Sequence, residues 1–370
     1  MNIKTKLVKN AVALGVVLSL SAGLAVAAPI TIEEQGSFTV GGTYNEKPGK
    51  FTQENFVAED GQRAYGDFAY VEYQKPVKAK KLPLIFQHGG AQSKRTWESG
   101  PDGREGFNTM FVRAGYSVYL VDQPRSGEAN LSTEAVTPDT PWASNPMYGD
   151  KTLYVLSRIG HYDEAGNPVP NAQFPSGEKN YQAFQQSWTI GSGPLDNDLN
   201  ADVLSELVNQ QPDGAVLVTH SMGGTIGWRA ALRSDKVKGI IAYEPGGTPF
   251  IFPETEMPKI TEARFKALSA AAMGVPMEEF LKLTKMPIVL YYGDYIQIGS
   301  ENVGEDKWGT EYAMAEQFVA AINRHGGDAT LVHLPDIGIK GNSHFLMQEK
   351  NNAQIMQLAL AWLKEKGLDK

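Results

Sequence analysis

From Leu82 onward, short apolar runs alternate with stretches of helical periodicity. The runs Leu82–Gln87, Tyr116–Val121, Ala215–Thr219, Val237–Tyr243, Pro287–Tyr292 and Ala329–Leu334 read as buried strands. Residues 104–114, 222–233 and 310–324 read as helices between them. A last helix runs to about Lys366, with Ile355, Leu358, Ala359, Trp362 and Leu363 forming its apolar stripe. Apolar strands separated by helices predict an α/β fold: a mainly parallel sheet with helices on both faces. Upstream the pattern differs. Phe38-Thr39-Val40 leads into Gly41-Gly42, and Phe68–Tyr73 alternates before Pro76. That spacing predicts an antiparallel hairpin at one edge of the sheet.

Two stretches break the alternation. Residues 128–200 are rich in Pro, Asn, Gly and aromatics, and residues 245–285 carry two expected helices. Both follow strand ends, where an open α/β sheet binds ligands. They are expected to form a lid and a pocket wall. The start of the chain is of another kind. Lys4, Lys6 and Lys9 precede an apolar run from Ala11 to Val26, and Ala25-Val26-Ala27 is an A-x-A site. Residues 1–27 read as a signal peptide cut after Ala27, leaving 28–370 as one secreted or periplasmic domain. The run is short for a membrane span. No membrane association is expected after cleavage.

Composition narrows the function. Hydrophobic residues make up 42% of the chain, enough for a sizeable core. Loss of the three leader lysines, with no acid lost, takes the net charge from −8 to −11. Such a surface disfavours nucleic acid and anionic membrane as partners. The chain has no cysteine, which excludes disulfides, a thiol nucleophile and thiolate zinc sites. It also lacks H-E-x-x-H, a P-loop and G-x-G-x-x-G, so no metal or nucleotide cofactor is expected.

The chemical signal lies in Val218-Thr219-His220-Ser221-Met222-Gly223-Gly224, between a strand and a helix. A sharp turn there lifts a serine hydroxyl above the sheet edge. Thr219 stands where G-x-S-x-G has its first glycine. A serine hydroxyl needs a base, and in this arrangement the chain order runs Ser, acid, His. Of the later histidines, His325 sits at a helix end and His333 in a strand. His344, in the loop before the final helix, is the expected base. Two carboxylates follow strands as candidate acids: Glu244, before Pro245-Gly246-Gly247, and Asp294, after Gly293. Spacing alone slightly favours Asp294. The oxyanion donors are expected to be the amides of Met222 and Gly90, the latter in His88-Gly89-Gly90-Ala91. His88 is expected to orient that loop and His220 to point into the core.

Together these segments resemble bacterial secreted esterases of the α/β-hydrolase superfamily. The resemblance rests on Gln87–Gly90, Thr96-Trp97-Glu98, Pro101–Arg104, Gly115–Tyr119 and Val121-Asp122-Gln123. It extends through His220–Gly224, Glu244-Pro245-Gly246, Tyr292-Gly293-Asp294 and Gly341–His344. It implies an α/β-hydrolase fold of about eight strands and a cofactor-free carboxylic-ester hydrolase. It also implies a Ser221–His344–Glu244 triad, with the acid after the sixth strand and Asp294 in support. A lactone, an amide or a lyase reaction could use the same triad, and a binding protein could keep the fold. Trp142, Trp188, Phe250 and Phe252 are candidates to line an apolar acyl pocket.

Overall fold

Eight strands form the central sheet of the protein, in the order β1-β2-β4-β3-β5-β6-β7-β8. They are β1 (Ile32–Glu46), β2 (Arg63–Pro76), β3 (Leu84–Gln87), β4 (Val118–Asp122), β5 (Ala215–His220), β6 (Val237–Tyr243), β7 (Pro287–Tyr292) and β8 (Asp328–His333). The computed structural model describes residues 29–134, 149–171 and 173–370. The expected leader 1–27 and Trp142 lie outside these residues. Thr31–Lys370 forms one folded unit.

β1 and β2 make the expected edge hairpin, with Phe38 opposite Val71. β2 is antiparallel to β4, and every strand pair from β4 to β8 is parallel. β3, β4 and β5 are buried throughout, as strands covered on both faces must be. Along each strand the side chains alternate between two cores. Ile85, Leu217, Ile240 and Leu290 face α4 (Asn197–Asn209), α5 (Gly223–Arg233) and α7 (Val303–Arg324). Phe86 and Tyr243 face the other way and pack against Trp97 and the aromatics of α1 (Phe107–Arg113). α8 (Asn352–Glu365) lies beside α1.

The quoted motifs brace the sheet's upper edge. Trp97 is buried beneath His220, their ring centres 6.3 Å apart. Arg104 grips Asp102 and donates to the carbonyl of Lys350, tying the Pro-Asp-Gly-Arg turn to the start of α8. Asp122 accepts from the amides of Lys94 and Glu128 at 2.6 and 2.9 Å.

Two expectations need correction. The stretch 245–285 does not carry two helices. Phe250–Pro253 pairs in parallel with Ala272–Val275, and only short turns and the four-residue α6 (Met277–Phe280) are helical. Prolines 249, 253, 258 and 276 interrupt any longer helix, and Phe-Ile-Phe favours extension. The helix expected at 310–324 begins at 303. Asn302 caps it by accepting from the amides of Gly304 and Glu305. Within 128–200 lie α2 (Asp150–Leu156), a small hairpin (160–162 with 168–170) and α3 (Glu178–Gln185), and α4 begins at its end.

Candidate active site

β5 ends at His220, and α5 starts at Gly223. Ser221 turns the corner between them with φ +53°, a left-handed conformation that a serine pays for in strain. Backbone crowding makes the neighbouring glycines necessary. A Cβ on Gly223 would come within 2.5 Å of the His88 carbonyl oxygen. The missing first glycine of the motif has a local answer too. A Cβ on Gly227 would sit 2.9 Å from the Thr219 methyl, so the absent side chain at 227 makes room for the threonine.

His344 is held by its backbone before its ring is considered. Its N–H donates to the Ser157 carbonyl at 3.0 Å, and its carbonyl accepts from His220 Nε2 at 2.9 Å. The preceding loop is pinned by Glu349, which accepts from the Ser343 amide and the Asn342 side chain at 2.7 and 2.6 Å. Burial pushes the Glu349 carboxyl up to about 7. His344 Nδ1 lies 3.2 Å from Glu244 Oε2. A carboxylate there accepts the Nδ1 proton and leaves Nε2 as the basic nitrogen. Among the described residues no hydrogen bond joins the Ser221 hydroxyl to this ring. Trp308 packs on the ring, centroids 3.9 Å apart. Burial first, then the nearby charges of Arg158 and Lys307, push His344 well below its ordinary value.

Of the two candidate acids, Glu244 faces the imidazole. It is fully buried, with φ +48°. Its Oε1 accepts from the Gly293 amide at 2.5 Å and from Arg158 Nη2 at 2.7 Å. Asp294 instead holds the loop behind His344: Oδ2 accepts from the Gly341 amide at 3.0 Å and Oδ1 from the Tyr295 amide at 2.8 Å. The spacing preference for Asp294 is therefore not what the geometry supports. His325 caps α7, and His333 ends β8 beside Asp336.

The His88-Gly89-Gly90 loop lies flush against the elbow. A Cβ on Gly89 would be 2.8 Å from Ser221 Cβ. His88 is buried, with Nδ1 2.7 Å from the Gly89 carbonyl and Nε2 3.5 Å from the Gln123 amide, an orienting set of contacts. Neither the Gly90 nor the Met222 amide donates to a protein acceptor among the described residues. Both residues border a cavity of about 420 Å³. Its apolar wall includes Leu153, Trp188, Ile190, Leu195 and Leu199. Arg125 also lines it, neutralised by a two-point ion pair with buried Asp67 at 2.8 and 2.9 Å. Trp188, one of the aromatics expected at an acyl pocket, lines this cavity. Phe250 and Phe252 do not: they pack on Phe318 in the core.

Arg158, Lys307, Trp308 and Glu349 escaped the sequence reading. Nothing in Ser157-Arg158-Ile159 marks the arginine. Lys307 and Trp308 sit in the first turns of α7, where Gly304 and Gly309 blur the helical signal.

A fungal protein named "Probable secreted lipase phiG", from Fungal sp. (strain ATCC 74256), is 28% identical over 332 residues, covering 80% of this chain and 85% of its own. The solved structure titled "The Atomic Resolution Structure of a Novel Bacterial Esterase" is 27% identical, with a TM-score of 0.73 over 92% of this chain and 98% of its own. The model of the alpha/beta hydrolase family matches residues 84–357, and the chain belongs to that family.

Proposed function

We propose that this protein is an exported serine ester hydrolase, with Ser221 as nucleophile, His344 as base and Glu244 as the acid that orients it. The observation that carries this reading is the Glu244 carboxylate 3.2 Å from His344 Nδ1, at the rim where the strained Ser221 stands. The names of the two relatives, a lipase and an esterase, agree with it. The A-x-A leader and the relative named as secreted support export.

In this reading the substrate carbonyl oxygen lies against the amides of Gly90 and Met222. His344 Nε2 takes the Ser221 proton as Oγ bonds to the carbonyl carbon. The two amides hold the oxyanion that forms. The intermediate collapses, and the alcohol leaves with the proton from His344. The acyl group stays on Ser221. A water then gives a proton to His344, attacks the acyl carbon, and releases the acid as Ser221 recovers its proton. A mostly apolar cavity of about 420 Å³, whose charged lining residues are Arg125, Asp150 and Asp196, suits an uncharged acyl or aryl group of medium size.

A panel of p-nitrophenyl esters tests this. Short and medium acyl chains are expected to turn over, with inactivation by a fluorophosphonate. No hydrolysis across the panel, with no labelling, would remove the reading. Trp188→Ala is expected to raise KM about tenfold for medium-chain esters and to spare acetate esters. An equal effect on both would take Trp188 out of the acyl pocket. The pH dependence has a definite sign. Only neutral His344 accepts the proton, and its affinity for protons is lowered. The acid limb of kcat/KM is therefore expected well below pH 6.5, the ordinary histidine value. A profile that already falls at 6.5 would contradict the assignment of His344.

A further inference from the structure

We propose that Arg158 is a positioning residue, supplied by the 128–200 insert, that holds the Glu244 carboxylate with one oxygen turned to His344. The inference rests on the ester-hydrolase reading of the site and adds a residue to it.

Arg158 and Glu244 both have 0% of their side chains exposed. Burying such a pair costs so much desolvation that an apolar pair would commonly serve stability as well. Its Nη1 is buried without an acceptor, a further cost. The backbone is strained besides, with φ +56°. What these costs maintain is a two-point grip. Nη2 donates to Glu244 Oε1 at 2.7 Å, and Nε donates to the Asp294 carbonyl at 3.0 Å. One guanidinium thus bridges the residue after β6 and the turn after β7. With the Gly293 amide also on Oε1, two donors hold that oxygen, and Oε2 is left for the imidazole.

The neighbouring residues act on the same centre. The Leu156 carbonyl accepts from Trp308 Nε1 at 2.9 Å, and Trp308 packs on the His344 ring. The Ser157 carbonyl accepts from the His344 amide. Three consecutive residues therefore hold the ring's stacking partner, its backbone and its carboxylate.

The charge of Arg158 also bears on the ring, and opposes its protonation. The other charged and titratable groups around His344 are Glu244, Lys307 from α7, His220 from β5, Asp294 after β7 and Glu349 before α8. Removing Arg158 takes one positive charge from this set and leaves Glu244 free to favour the imidazolium.

The test is the pH profile of kcat and kcat/KM on p-nitrophenyl acetate for wild type, Arg158→Met and Arg158→Lys, with folding checked by near-UV circular dichroism. Arg158→Met is expected to lower kcat at least about tenfold with KM little changed. Its acid limb should move up by about one pH unit. Arg158→Lys keeps the charge and loses the fork. Its kcat should fall less, and its limb should stay near that of wild type. A folded Arg158→Met with the wild-type limb and kcat would overturn the proposal. If Arg158→Met does not fold, Arg158→Lys decides: a wild-type kcat overturns the proposal, and a reduced kcat at unchanged KM supports it. Fluorophosphonate labelling of Ser221 in the wild type separates the two ideas. An unlabelled Ser221 sinks the ester-hydrolase reading. A labelled Ser221 with indifferent Arg158 variants sinks only the role of Arg158.

Discussion

Ser221→Ala is expected to lower kcat on a short aryl ester by about 10⁴- to 10⁶-fold, the scale at which loss of a serine nucleophile disables a triad. The reason is that the proposed covalent step falls to the Ser221 hydroxyl. Gly89, Gly90 and Met222 offer amides but no nucleophile, and the chain has no cysteine. The substitution removes one oxygen and keeps the Cβ that packs against Gly89. The backbone bond from residue 221 to the Tyr243 carbonyl is also kept. The melting temperature is therefore expected to stay near that of wild type. The measurement is burst and steady-state release of p-nitrophenol, together with thermal unfolding. Undiminished turnover by the folded variant would leave the proposed centre without its nucleophile.

Glu244→Gln is expected to cost about 10⁴ in kcat, and Asp294→Asn at least about tenfold less. The hydrogen bonds explain the difference. Glu244 Oε1 receives two donors, Arg158 Nη2 and the Gly293 amide. A glutamine must place its oxygen there, which turns its NH₂ toward His344. The imidazole then accepts at Nδ1 and carries its proton on Nε2, the nitrogen that has to receive the serine proton. The tautomer is wrong, so the base is lost although the ring stays in place. Asp294→Asn sets an NH₂ against one of two backbone amides, Gly341 or Tyr295. That loosens the loop behind His344 but leaves its tautomer intact. If Asp294→Asn proves the more damaging of the two, the acid has been misassigned.

The sheet was legible because its information is local. A run such as Ala215-Val-Leu-Val has the composition of a strand covered on both faces, and Ser221 sits where such a strand turns into a helix. His344 was legible by position, as the histidine in the loop before the last helix. The choice between Glu244 and Asp294 was not legible from spacing, because both follow strand ends on adjacent strands. Reach and backbone turn separate them in the structure. Glu244 adopts a left-handed turn that aims its longer side chain at the ring, whereas Asp294 is taken up by backbone amides. The resemblance pointed to Glu244 where spacing did not. The 245–285 stretch was misread because hydrophobic content alone does not separate a short buried ribbon from a helix. Arg158 was invisible for a related reason. Its partner lies 86 positions away, and no periodicity marks a side chain whose role is a single distant contact.

The three residues that close α2 have a bearing on how this protein can be redesigned. The insert that carries α2 also supplies much of the cavity wall, which makes it a natural segment to exchange. Here the insert is tied to Trp308, His344 and Glu244 by Leu156, Ser157 and Arg158. A graft that imports a foreign segment across these positions would disturb the surroundings of His344 along with the shape of the pocket. Junctions placed outside 156–158 would let the two be varied separately.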